Sequence, residues 1–399
     1  MWLGVGLLID PGAFARPLVA TCSRGLEEVL ADELRTLGFE AVEPGRGVVA
    51  FIGDLAAIWR ANLWLRTAMR VVVPLARGRV AGRGDLYELA AGVAWTELLR
   101  RGQTVAVDVA GRSTAVPNTA FAAQVVKDAV VDAVRAREGW RPSVDRADPD
   151  LRLHLHLSDG ETALALDSTG EPLAHRGYRP HGGPAPMAET LAAGVLLLAG
   201  YDGAEPLLDP LCGSGTLLVE AALIATRTPP GRRRRFAFER WAGHDPERYR
   251  ELSRDADRQG RDAPAPIVGF DRDRRAVAAA ARNLEAAGVD RWASVERRDA
   301  LSLELPWGEG GLIVANPPYG KRMGDVEDLG AFYERFGDRL KSHAREATAW
   351  LLVGSRELAN RIGLRASRRI PLFNGPIECR LLKYELYAGS RKPPHAQSS

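Results

Sequence analysis

The segment Pro206-Leu207-Leu208-Asp209-Pro210-Leu211-Cys212-Gly213-Ser214-Gly215-Thr216 constrains the fold more than any other part of the chain. A short apolar run ends in an acid, a glycine-containing loop follows, and Leu217 to Ala225 carries the pattern of a buried helix. Strand, glycine loop and helix in that order form the first turn of a ligand-binding α/β domain, where glycines let the backbone approach the ligand. The loop lacks the third glycine of the dinucleotide fingerprint. Asp209 would repel a pyrophosphate, but it suits the cationic methionine moiety of S-adenosylmethionine.

Two later segments place further acids in the same order. Ile267 to Asp271 reads as the next strand, ending in a carboxylate able to accept from both hydroxyls of a ribose. Ser294 to Ala300 reads as a third, whose Asp299 can accept from an adenine amino group. Either aspartate alone would serve equally as a helix N-cap; their order and spacing favour a ligand. The tetrad Asn316-Pro317-Pro318-Tyr319 follows the apolar run Gly311 to Ala315 and stands 107 residues beyond Asp209 (316 minus 209).

At the C-terminal edge of a parallel sheet, where ligands bind, this tetrad suits methylation of a ring-conjugated amine. Such a nitrogen is planar and weakly nucleophilic, because its lone pair is delocalised. The Asn316 side-chain oxygen and the Pro317 carbonyl can fix its N–H bonds and favour pyramidal geometry as the new bond forms. Two prolines hold the backbone and add no competing N–H. Tyr319 offers a face on which a flipped-out base can stack. Alone, the tetrad is also compatible with a stiffened turn carrying a packing tyrosine.

With these motifs in place, the chain resembles the class I S-adenosylmethionine-dependent RNA methyltransferases that carry an N-terminal THUMP domain. Within them it is most similar to the bacterial large-subunit ribosomal RNA guanine-N2-methyltransferases, from about Leu18 to Tyr387. Further marks are Leu166-Asp167-Ser168-Thr169-Gly170-Glu171-Pro172-Leu173, Arg176-Gly177-Tyr178-Arg179, Ala185-Pro186-Met187-Ala188-Glu189-Thr190-Leu191-Ala192 and Asn374-Gly375-Pro376-Ile377-Glu378-Cys379-Arg380-Leu381-Leu382.

The resemblance implies an α/β protein: a Rossmann-like class I methyltransferase domain preceded by an α+β ferredoxin-like/THUMP region. It implies S-adenosyl-L-methionine as cofactor and a guanosine of 23S ribosomal RNA as substrate. Asn316, Pro317, Pro318 and Tyr319 would be catalytic. Cofactor contacts would come from Pro186, Met187, Glu189, Thr190, Asp209, Pro210 and Cys212, and from Gly213, Ser214, Gly215 and Thr216. Asp271, Arg272, Asp299, Ala300 and Asn316 would complete that set. RNA contacts are expected at Arg112, Lys127, Arg176, Lys321 and Arg322. A transfer RNA guanosine-N2-methyltransferase, an RNA adenine-N6-methyltransferase and a non-catalytic RNA-binding assembly protein remain open. Some members carry a second methyltransferase domain at the C-terminus, an activity expected here from another polypeptide.

The expected organisation is a tail (1–16), a ferredoxin-like subdomain (17–69), a THUMP domain (70–170), a linker (171–186), the methyltransferase domain (187–389) and a disordered tail (390–399). In the first subdomain, Ser23 to Leu37 reads as an amphipathic helix capped by Ser23 and ended by Gly38, between strands at 18–22 and 47–52. Strands are expected at 104–109, 151–157 and 162–167, with a helix near 118–137. From Asp209 to Asp271 is 62 residues (271 minus 209), against roughly 20 in the nucleotide-binding folds. The excess, 227–266, carries Pro229-Pro230, the run Arg232 to Arg235, Phe236, Phe238 and Trp241. It is expected beside the cofactor edge, with the arginines either solvated or against RNA backbone.

Composition sets outer limits. A net charge of +3 excludes a uniformly basic nucleic-acid coat. Cys22, Cys212 and Cys379 are scattered, so neither a disulfide framework nor a zinc site is indicated. His154 and His156 share a strand face without a third ligand nearby, so no metal is expected. No apolar run reaches the ~18 residues of a membrane helix. A cytoplasmic monomer binding RNA is the expectation.

Overall fold

The computed structural model describes residues 15–179, 187–319 and 326–387, with side chains from 329 onward in the last stretch. The strands are β1 (Arg16–Cys22), β2 (Glu40–Gly45), β3 (Val48–Gly53), β4 (Ala68–Gly78), β5 (Thr104–Gly111), β6 (Ser143–Val144), β7 (Leu151–Leu157), β8 (Thr162–Asp167), β9 (Leu207–Asp209), β10 (Ile267–Asp271), β11 (Ala293–Arg297), β12 (Leu312–Ala315), β13 (Thr348–Val353), β14 (Arg368–Asn374) and β15 (Ile377–Glu385). The helices are α1 (Glu27–Thr36), α2 (Leu55–Trp64), α3 (Arg83–Ala91), α4 (Trp95–Leu98), α5 (Thr119–Glu138), α6 (Glu189–Leu198), α7 (Thr216–Ala225), α8 (Pro246–Arg258), α9 (Arg274–Ala287), α10 (Val326–His343) and α11 (Arg356–Arg361). They fall into two units: Met1–Gly177 with Pro229–Gln259, and Tyr178–Thr228 with Gly260–Ser399.

Unit 1 is built on one sheet in the order β2-β3-β1-β4-β8-β7-β5-β6. Period-two alternation explains its faces. In β7, Leu151, Leu153, Leu155 and Leu157 are buried, while His154 and His156 point the other way. His154 Nε2 lies 3.1 Å from Asp167 Oδ2, on a polar sheet face. The subdomains expected at 17–69 and 70–170 are not separate sheets, because the long β4 pairs with β1 on one side and with β8 on the other. Helix α5 has its expected extent: the Asn118 side chain accepts from Phe121 N, and Gly139 closes it in the left-handed region. Helix α1 starts four residues after Ser23. The Glu27 carboxylate takes the backbone N–H groups of Gly25 (2.7 Å) and Gly47 (2.9 Å), which ties residues 23–25 into a turn instead.

Of the segment 227–266, Pro229–Gln259 groups with unit 1. Phe236, Phe238 and Trp241 are buried. The Trp59 ring of α2 meets those of Phe238, His244 and Tyr249, at centroid distances of 6.3, 5.6 and 5.9 Å. Backbone bonds seal the seam: Phe238 N to Ser168 O at 3.1 Å and Gly231 N to Leu63 O at 3.0 Å. Of the arginine run, Arg234 donates to the carbonyls of Glu171, Pro172 and His175, and burial lowers its pKa to about 10. That side chain fastens the segment and is not presented to RNA.

Unit 2 has the strand order β11-β10-β9-β12-β13-β15-β14. The first five strands are parallel, and β15 runs antiparallel between β13 and β14. Leu312, Ile313, Val314 and Ala315 are all buried, as a central parallel strand covered on both faces requires. Chain order reverses at β9, with β10 to one side and β12 to the other. That reversal opens the crevice where such sheets hold ligands. Among the described residues, no helix is long and apolar enough to cross a membrane.

Candidate active site

Both principal motifs end strands at the crevice: Asp209 closes β9 and Asn316 follows β12. Asp209 is 1 % exposed, and Leu211 N donates to its Oδ1 at 3.1 Å. Burial pushes its pKa up to about 8; the nearby Asp271 charge pushes the same way and the Leu211 bond opposes them. A buried carboxylate this poorly compensated fits a site built for a cation.

The glycine loop is tied down from several sides. Cys212 N donates to Phe270 O at 2.9 Å, and Gly213 N to Asp271 Oδ2 at 3.0 Å. The other Asp271 oxygen accepts from Asp273 N at 2.8 Å. Each carboxylate oxygen has a second lone pair left for a ligand hydroxyl. Gly215 has a φ of +79°, and a Cβ there would stand 3.0 Å from Ala280 Cβ, so the turn into α7 admits only glycine without strain. Asn283 Nδ2 of α9 holds the Ser214 carbonyl at 2.8 Å. Pro210 and Cys212 are buried beneath the loop.

Of the residues expected around α6, Met187 and Glu189 are gathered by Arg179. Its guanidinium reaches the Met187 carbonyl at 3.4 Å and the Glu189 carboxylate at 3.4 Å, and it donates to the Thr216 hydroxyl. Thr190 is buried in α6. Asp299 caps the short turn Ala300–Ser302 by accepting from Leu301 N at 2.9 Å; Ala300 is buried, and Arg272 is exposed after β10. Pro186, Lys321 and Arg322 lie outside the described residues.

In the tetrad, the Asn316 side-chain oxygen is buried with no hydrogen-bond partner among the described residues. No described hydrogen bond ends on the Pro317 carbonyl, while the Pro318 carbonyl accepts from the Tyr333 hydroxyl at 3.2 Å. A buried acceptor left without a donor is costly, so the Asn316 oxygen is suited to receive one. The Tyr319 hydroxyl accepts from Asn374 Nδ2 at 2.8 Å. Burial raises its pKa, so the phenol stays neutral. Its ring lies against Gly354, where a Cβ would come within 2.4 Å of Tyr319 Cδ2.

Sequence reasoning missed Gly354, Asn283 and Tyr333. Gly354 carried one usable signal: it follows the apolar run 348–353, at the same sheet edge as the tetrad. The other two sit inside helices whose pattern reports only packing. Among the expected RNA contacts, Arg176 is corrected. It is 3 % exposed and donates to the carbonyls of Leu173 and Arg66, so it braces unit 1 internally. Arg112 is exposed after β5, and Lys127, on α5, pairs with Asp128 at 2.5 Å.

Comparison with known proteins agrees with this architecture. Residues 176–383 match the family described as RMKL-like, methyltransferase domain; 17–72 match the RlmL ferredoxin-like domain and 83–167 the THUMP domain. The chain is 41 % identical over 383 residues to a Synechocystis protein named "Putative RNA methyltransferase", covering 95 % of this chain and 100 % of the relative. It is 42 % identical over 379 residues to the ribosomal RNA large subunit methyltransferase K/L of Methylococcus capsulatus, covering 93 % of this chain and 51 % of the relative. The chain thus spans about half the length of the K/L relatives it matches. The solved structure of SMU.472, described as "a putative methyltransferase complexed with SAH", superposes with a TM-score of 0.87 at 27 % identity over 95 % of this chain and 100 % of that one. A matched segment of 208 residues (383 minus 176, plus one) is more than half of the 399, and on it the chain belongs to the RMKL-like methyltransferase family.

Proposed function

We propose that the chain methylates the exocyclic N2 amine of a guanosine in 23S ribosomal RNA, with S-adenosylmethionine as methyl donor. The observation that carries this reading is the buried Asn316 Oδ1, without a hydrogen-bond partner among the described residues, at the sheet's switch point. S-adenosylmethionine supplies a methyl group on a positively charged sulfur. Asp209 would hold its amino group, the two Asp271 oxygens its ribose hydroxyls, and the uncapped Asp299 oxygen its adenine amine. Asn316 and the Pro317 carbonyl then accept the two N–H bonds of the target amine. Held so, its lone pair leaves conjugation and points at the donor without prior loss of a proton. Tyr319, fixed by Asn374 and Gly354, carries the base face.

Ribosomal RNA as substrate is supported by the names of the K/L relatives, and a structured RNA target by the THUMP match. The test is nucleoside mass spectrometry of ribosomal and transfer RNA from a deletion strain. Loss of N2-methylguanosine from 23S RNA is expected. Its loss from transfer RNA alone would reject the ribosomal substrate, and loss of N6-methyladenosine would reject guanine.

A further inference from the structure

The tetrad accounts for one nucleotide, yet unit 2 has a second cavity beside it. On β15, alternate residues Glu378, Arg380, Leu382 and Tyr384 face a hollow of about 460 Å³, within the range of small-ligand sites. Its floor is apolar: Leu382 and Tyr384 are buried, with Ala359, Leu364 and Ala366 against them. Its rim is cationic. Arg356, Arg369 and Arg380 are exposed there against the one acid Glu378, and among the described residues none of these arginines has an ion-pair partner. Gly354, which seats the Tyr319 ring, also lines this hollow, so the two sites share a wall.

Strand order says which ligand lies where. The acids suited to the cofactor end β9 and β10, with Asp299 just beyond β11; the tetrad follows β12, and the hollow opens over β13, β14 and β15. Cofactor, tetrad and hollow therefore follow one another across the sheet, the hollow running from the edge at Val353 and Gly354 down the face to Leu382 and Tyr384. An apolar floor under unpaired arginines has the chemistry of a nucleotide seat, with base and ribose on the floor and phosphate at the rim. Resting on the RNA-methylation reading, we propose that this cavity receives the nucleotide adjoining the methylated one. Its base lies over Leu382 and Tyr384, and its phosphate meets Arg356, Arg369 and Arg380. The flanking phosphate then fixes the register of the RNA on Tyr319.

The test compares the unchanged protein with Arg369→Glu/Arg380→Glu and, separately, Ala366→Trp. Methyl transfer to protein-free 23S RNA transcript and titration with S-adenosylhomocysteine are both measured. The charge variant should raise KM for RNA by about tenfold per arginine and flatten the salt dependence of RNA binding by about one unit of slope, since one phosphate contact is lost. The filling variant should raise KM with the slope unchanged. In both, kcat at saturating RNA and homocysteine-product affinity should stay within about twofold. Unaltered KM and slope in both variants, with the unchanged protein active, overturn the nucleotide seat alone. No transfer by the unchanged protein to 23S or transfer RNA removes the functional reading, and the seat with it.

Discussion

Asp209→Asn should make the free protein more stable and the cofactor bind worse, a combination that a purely structural acid would not give. The Asp209 pKa rises from its ordinary 3.8 to about 8, chiefly through burial. The native state therefore holds this proton more tightly than the unfolded chain does. Stability from this group is complete at low pH and declines as pH climbs from the usual carboxylate range towards 8. One pKa unit corresponds to about 1.4 kcal/mol, so from pH 5 to 8 the decline approaches about 4 kcal/mol as an upper figure. In a domain of this size that is roughly 10 °C in Tm. Without cofactor, the Tm of the unchanged protein relative to Asp209→Asn should fall across that window. S-adenosylmethionine brings a cationic amino group to the ionised acid, so its affinity for the unchanged protein should tighten as pH rises to 8. There, loss of a charge-assisted bond worth about 1.5–3 kcal/mol should weaken binding in the variant between about tenfold and a hundredfold. Calorimetry and thermal melts over pH 5 to 9 read both effects. Equal affinity in the two proteins at pH 8, or a relative Tm that rises with pH, would refute the cation-holding role.

Asn316→Ala should cost about 10²–10³ in kcat, the loss usual for one oriented polar group in a transition state, with S-adenosylhomocysteine affinity intact; near-normal turnover removes the tetrad as the reacting centre. Gly354→Ala places a Cβ 2.4 Å from the Tyr319 ring and must displace it. RNA methylation should then lose the ~1–3 kcal/mol of base stacking, and calorimetry should find cofactor binding unchanged. Phe238→Ala opens the ring cluster around Trp59 and should cost about 3–5 kcal/mol, read as an earlier denaturation of unit 1 while unit 2 melts as before.

The sheet of unit 2 was readable because each of its ligand-edge strands is a short apolar run stopped by a polar residue. Asp209, Asp271 and Asn316 each mark where the apolar run ends, and the structure ends or leaves the strand there. Pairings across long sequence distances were not readable. Asn374 to Tyr319 spans 55 residues and Asn283 to Ser214 spans 69; neither partner carries a local pattern announcing the other. Arg176 shows the opposite error. An arginine beside glycines resembles a phosphate contact, but its role is decided by two carbonyls, one of them 110 residues away, whose availability no local sequence displays. The Leu166-to-Leu173 mark has the same lesson. Asp167 is held by Arg70 and His154, Ser168 and Thr169 bond with Asn62, and Ser168 and Thr169 offer their carbonyls to Phe238 and Ala237. Its polar residues are a structural clamp.

That clamp changes what a truncation can mean. The chain passes between the units three times, at 177/178, 228/229 and 259/260. Pro229–Gln259 interrupts unit 2 in sequence yet contributes Phe236, Phe238 and Trp241 to the interior of unit 1. A fragment beginning near residue 184 would keep this segment and discard Trp59, Asn62, Ser168 and Thr169, the side chains and carbonyls that cover it. Three large aromatic rings would then face water, at roughly 1.5–3 kcal/mol for burying each, and would drive association. Poor methyl transfer by such a fragment would report exposed rings as readily as lost RNA docking. A sounder separation keeps both units whole and alters exposed cations of unit 1, such as Arg112, because folding of the shared segment is then untouched. A shallower salt dependence of RNA binding with an unchanged Tm would assign docking to that unit.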